Sequence, residues 1–79
     1  MKSDSATTVG ERLRAARREL GLNQSEFAEG VGITQSTVAA YETDRREPPL
    51  PVLLALEHRF RVNHEWVLEG SGERFTGVR

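Results

Sequence analysis

The stretch Gly21-Leu22-Asn23-Gln24-Ser25-Glu26-Phe27-Ala28-Glu29-Gly30-Val31-Gly32-Ile33-Thr34-Gln35-Ser36-Thr37-Val38-Ala39-Ala40-Tyr41-Glu42 decides the fold. It reads as two short helices separated by a tight turn. Asn23 is a strong N-cap, and Glu26 three residues later completes a capping-box pattern, so a helix starts at 24. Phe27, Ala28 and Val31 form its apolar stripe. Gly30 weakens the helix slightly, and Gly32 ends it with the left-handed turn that glycine adopts at little cost. Thr34 is the next N-cap, with Ile33 before it and Val38 four residues after it, as in a hydrophobic staple. Val38 and Tyr41, three apart, turn the second helix inward over 35–42. Gln35, Ser36, Ala39 and Ala40 fall on its other face.

Working outward, Val9, Leu13, Ala16 and Leu20 recur at i, i+4, i+7 and i+11, which predicts a first helix over about 10–20. Gly21 fits the left-handed position just past its end. Thr43 to Pro49 read as a loop. A fourth helix starts near Leu50, with Pro51 tolerated in its first turn. Leu50, Leu53, Leu56 and Phe60 form its inward stripe. Asn63 caps a last helix, 64–69, containing Trp66, Val67 and Leu68, and Gly70 stops it. Residues 1–8 are expected as a flexible N-terminal arm, 9–70 as one domain, and 71–79 as a flexible C-terminal tail. The fold class is all-α.

The whole sequence has 79 residues, with 11 Lys+Arg against 12 Asp+Glu and no cysteine. That length allows one domain and excludes most enzyme scaffolds. Without cysteine there is neither a disulfide framework nor a thiolate metal site. His58 and His64 stand six apart across a helix boundary and match no metal-ligand spacing, and no Ser-His-Asp set is present. No apolar run approaches the roughly 18 residues of a membrane span. A soluble cytoplasmic protein with no catalytic site, metal or cofactor is expected. The net charge of −1 counts against nucleic acid, because DNA-binding domains usually carry a basic excess. The sum hides a distribution. Arg45 and Arg46 follow the second helix of the pair, while Glu29, Glu57, Glu65, Glu69 and Glu73 are expected to face away or sideways. Asp44 and Glu47 intrude.

Two short helices joined by a glycine-containing turn are the generic helix-turn-helix pattern. Here the detail goes further. Residues 21–28, 31–38 and Tyr41-Glu42 closely resemble the Cro and phage-repressor (Xre-type) helix-turn-helix family. Arg45-Arg46-x-Pro48 and the run from Val62 to Gly70 resemble the same family's loop and fifth helix. The likeness covers about residues 9–70. It implies a compact five-helix, lambda-repressor-like DNA-binding domain with the helix-turn-helix at helices 2 and 3. It further implies a sequence-specific regulator of transcription, a repressor that binds a palindromic operator on double-stranded DNA as a homodimer, associated with the nucleoid. Antitoxins and restriction-modification controllers share the domain. A module that has lost DNA binding and contacts only a protein partner is the rival class.

On this resemblance helix 3 enters the major groove with its first residues at the base edges. Gln35 is suited to adenine, Ser36 to several base edges, and Ala40 to a thymine methyl. Thr37 is assigned a base or a phosphate. Backbone contacts fall to Asn23 and Gln24 at the start of helix 2, where free N–H groups favour an anion, and to Thr43, Arg45 and Arg46 after helix 3. Gln24 also braces the first residue of helix 3. Arg17 and Glu42 match a structural ion pair. Arg12, Arg14 and Arg18 are assigned to solubility. Trp66 and Leu68 are candidates for a dimer interface. Four residues depart from the family's pattern: Asp44 replaces a glycine, Pro49 a Ser/Thr cap, Glu57 a small apolar residue and Arg61 a glycine.

Overall fold

The computed structural model describes residues 8–77, and the rest of the expected arm and tail lies outside them. Five helices run in order: α1 (Val9–Glu19), α2 (Gln24–Val31), α3 (Gln35–Glu42), α4 (Leu50–Phe60) and α5 (His64–Glu69). Helix α1 begins at Val9, one residue before the expected 10–20. Thr8 caps it, and Glu11 closes a full capping box back onto the Thr8 backbone. That Thr-x-x-Glu signal is present in the sequence, and it makes Thr8 part of the domain.

Asn23 and Glu26 form the expected box at α2, and Gly32 ends that helix at φ 75°. Thr34 caps α3 through its hydroxyl. Helix α4 follows Pro49, which offers no side-chain cap, and stops at Arg61, held left-handed at φ 67°. Asn63 caps α5 and Gly70 ends it.

The core gathers Leu13, Phe27, Val38, Leu53, Leu56, Val62 and Val67, all fully buried. Phe27 stacks on Phe60 with ring centroids 5.3 Å apart. Gly30 lies directly under that ring, and a β-carbon there would collide with Phe60. The glycine that weakens α2 therefore admits the aromatic from α4. Gly10 does the same for α1, since a β-carbon would stand 2.5 Å from the carbonyl oxygen of Tyr41. The N-terminus of α1 thus rests on the C-terminal turn of α3.

Several expectations change. Leu50 does not face inward. It is 51% exposed, as is Leu54 one turn on at 45%, so Leu53 and Leu56 carry the stripe. Arg12 is buried rather than solvated. Its Nε donates to the Val67 carbonyl at 2.8 Å and its Nη2 to that of Leu68 at 3.0 Å. A cation at the last carbonyls of α5 satisfies acceptors the helix cannot. Glu57 accepts from the His64 backbone N–H at 3.0 Å, and its Oε1 lies 2.7 Å from the His64 Nδ1. It therefore tethers the start of α5 to α4.

The stretch expected as a free tail folds back. Val62 and Phe75 form an isolated antiparallel bridge, and the Asn63 N–H donates to the Arg74 carbonyl at 2.9 Å. Arg74 reaches Glu19 at 2.6 Å and places its guanidinium 4.8 Å from the centre of the Trp66 ring. Among the described residues, no helix is long and apolar enough to cross a membrane, and no group of three His, Cys, Asp or Glu is placed to hold a metal ion.

Candidate nucleic-acid interface

The site is built from the α2–turn–α3 unit. Ala28 on α2 and Val38 on α3 are both buried in the common core. The turn is closed by the Ile33 N–H donating to the Ala28 carbonyl at 3.1 Å. The Thr34 Oγ1 accepts the Thr37 N–H at 3.2 Å and shares a hydroxyl hydrogen bond with Thr37 at 2.8 Å. This fixes the first turn of α3 and leaves Gln35 and Ser36 exposed at its tip. Thr37 is half-buried, and its hydroxyl is already engaged by the cap.

Ala40 is misplaced by the sequence reading. It is 7% exposed, too covered to meet a thymine methyl. The chain after α3 folds back, and the N–H groups of Arg45 and Arg46 both donate to the Ala40 carbonyl, at 2.9 and 3.3 Å. Ala39 is the more open of the two alanines. The same fold-back leaves Arg45 and Arg46 exposed beside the end of α3. Thr43 is exposed too, with its hydroxyl donating to the Ala39 carbonyl at 2.8 Å. Asn23 spends its Oδ1 on the Glu26 N–H at 2.8 Å, so its Nδ2 is what it offers an anion.

Behind the exposed tip lies a continuous polar chain. Arg17 grips Glu42 bidentately, Nε to Oε2 at 2.7 Å and Nη2 to Oε1 at 3.0 Å, with Nη1 on the Leu22 carbonyl at 2.8 Å. The Gln24 Nε2 donates to the Glu42 Oε1 at 3.0 Å. The Gln35 Nε2 donates to the Gln24 Oε1 at 2.6 Å. The chain runs from the interior to the first residue of α3. Arg14, set aside by the sequence reading, lines a notch together with Arg17, Gln24, Glu42 and Thr43. Its position one turn before Arg17 on α1 is the signal that places it there.

The Asp44 carboxylate is engaged within the domain. The residue adopts φ 61°, and its carboxylate accepts the Gly10 N–H at 2.9 Å and the Thr8 hydroxyl at 2.7 Å. Its negative charge thus sits at the N-terminus of α1, where the helix dipole favours an anion. Trp66 is also displaced from its expected role. It is 7% exposed and lies beneath Arg74, whereas Leu68 is 42% exposed. Of the two interface candidates, only Leu68 presents apolar surface.

The sequence and the fold are matched by known proteins. A helix-turn-helix family model aligns with residues 13–67. The HTH-type transcriptional regulator ImmR of Bacillus subtilis is 34% identical over 61 residues, covering 77% of this chain and 48% of that protein. The HTH-type transcriptional regulator PrpR of Mycobacterium tuberculosis is 37% identical over 72 residues, covering 91% of this chain and 15% of that one. The chain therefore spans about half the length of one of these curated relatives and a small part of the other. Among solved structures, the c2 repressor of phage P22 in complex with a synthetic operator superposes with a TM-score of 0.76. The two share 29% identity, over 82% of this chain and 98% of that one. The chain belongs to the Xre-type helix-turn-helix family. The relatives named here are regulators and repressors, not enzymes.

Proposed function

We propose that this chain is a sequence-specific regulator of transcription that binds double-stranded DNA, acts as a repressor, and occupies a palindromic operator as a homodimer. Helix α3 lies in the major groove, with Gln35 and Ser36 at the base edges. Gln24, Asn23, Thr43, Arg45 and Arg46 hold the phosphates on either side, with Arg14 beside them. The observation that carries this reading is the exposed, capped tip of α3, braced by Gln24 and flanked by two exposed arginines. The operator complex of the P22 repressor supports DNA as the partner. Such a protein works at the nucleoid.

The net charge of −1 is compatible with this reading. Asp44 is spent on α1, and Glu42 on Arg17. Few phosphate contacts per domain make one copy a weak binder, so two copies on half-sites about 34 Å apart supply the affinity. The exposed Leu68 supports a dimer contact through α5.

Selection of bound duplexes from a random library tests the proposal. A two-fold symmetric consensus with half-sites about one helical turn apart is the expected result. Enrichment of no sequence at low salt would overturn it.

A further inference from the structure

We propose that Glu42 fixes which way the Gln35 amide faces, and thereby makes Gln35 select adenine over guanine. The inference rests on the reading of α3 as the major-groove helix. A carboxylate carries acceptors only, whereas a carboxamide carries an acceptor at one end and donors at the other. Glu42 therefore cannot be reversed, whereas each of the two glutamines can. Its oxygens take Arg17, and its Oε1 also faces the Gln24 amide at 3.0 Å. That amide must present its NH2, because a carbonyl oxygen there would meet a carboxylate oxygen. The Gln24 Oε1 then points outward and can only accept, so Gln35 must present its own NH2, 2.6 Å away. The direction set at a buried carboxylate passes through two side chains to the surface.

What remains of Gln35 for a ligand is its Oε1 and one N–H. In the major groove adenine offers a donor at N6 and an acceptor at N7, which match that pair. Guanine offers two acceptors, O6 and N7, and sets O6 against the Gln35 oxygen. A reversed Gln35 would set its NH2 opposite guanine O6 and remove that clash. The glutamine side chain alone permits both orientations, and the chain from Glu42 permits one. Glu42 and Gln24 are positioning residues here. The side chain of Glu42 is 2% exposed and that of Arg17 11%, so water does not compete at the source of the direction.

The test is equilibrium binding of the full chain to two duplexes, the selected operator and the same operator with the Gln35-dependent A·T pair changed to G·C. Gln35→Ala identifies that pair as the position where preference disappears. Gln24→Ala removes the link and leaves the Arg17–Glu42 pair in place. Glu42→Gln supplies an amide that can run the chain in reverse. Both are expected to lower the adenine-to-guanine affinity ratio about fivefold or more, a fraction of what one bidentate contact discriminates. If Gln24 also holds a phosphate, its removal weakens both duplexes equally and cancels in the ratio. Thermal melting checks that Glu42→Gln is folded, and if it is not, Gln24→Ala decides. An unchanged ratio in Gln24→Ala, with the ratio abolished in Gln35→Ala, overturns the lock and leaves the docking of α3 standing. A Gln35→Ala protein that keeps every preference overturns both.

Discussion

The α2–α3 half and the α4–α5 half of this domain are held by different kinds of interaction. In the first, three of the four boundaries obey a local rule: Asn23 and Glu26 box the start of α2, Gly32 ends it, and Thr34 caps α3. In the second, Asn63 and Gly70 bound α5 by the same rules, but α4 breaks them. Pro49 gives α4 no side-chain cap and a left-handed arginine ends it. Contacts distant in sequence compensate: Arg12 on the last carbonyls of α5, Glu57 on its first residue, and residues 74–76 against 61–63. The segment that offers side chains to a ligand has its helix starts and its turn set locally, and α1 holds it from behind through Arg17. The scaffold is fixed mainly by tertiary contact.

Substitutions can break or sharpen this contrast. The largest effect is expected where α3 shares a buried ion pair with α1. Glu42→Ala strands Arg17 and should cost about 3–5 kcal/mol, read from denaturant unfolding. Next comes Arg12→Met, which keeps the packed stem and leaves the α5 carbonyls uncapped. It should cost about 2 kcal/mol and unprotect α5 first in hydrogen exchange, with α2 and α3 little changed. If α2 and α3 became unprotected to the same degree, the division into halves would be wrong.

Glu57 gives a smaller, pH-dependent effect. The His64 backbone N–H, and then its side chain, hold the Glu57 carboxyl below its usual range, against a weaker opposing effect of burial. A folded-state pKa that is lowered gives stability that is complete above the unfolded value of about 4.3 and is lost as pH falls through the folded one. Glu57→Gln should therefore cost about 1 kcal/mol at neutral pH. It should match the parent protein once both are well below pH 4. A gap that persisted or widened in acid would contradict this role. The smallest effect is a gain. Arg61→Gly relieves a left-handed residue, worth about 1–2 kcal/mol, against roughly 0.4–1 kcal/mol of added unfolded-state entropy. A net rise in stability of about 0.5 kcal/mol is expected in thermal melts.

The same contrast explains what could be read from the sequence. Helix boundaries from Asn23 to Glu42 follow from caps and glycines a few residues apart, and so were legible. Asp44 was legible as a residue that tolerates a left-handed turn, but its attachment to Thr8 and Gly10 spans more than thirty residues and leaves no local pattern. Arg12 looked solvated because its acceptors lie on α5, 55 residues away. Ala40 looked available because helical spacing places it one turn after Ser36, and its burial in the fold leaves no mark on that spacing. Trp66 was ambiguous until Arg74 was seen to lie over it. Arg14 needed the neighbouring notch to stand out from the other arginines of α1.

The most direct test of the central claim, that α3 reads bases through its N-terminal tip, compares the parent chain with Gln35→Ala on operator duplexes altered one base pair at a time. The account predicts a loss of discrimination at one position in each half-site, about 1–3 kcal/mol there, and parallel affinities elsewhere. Uniform weakening at every position, with the preference profile unchanged, would show that Gln35 touches only the backbone and that α3 is not docked as described.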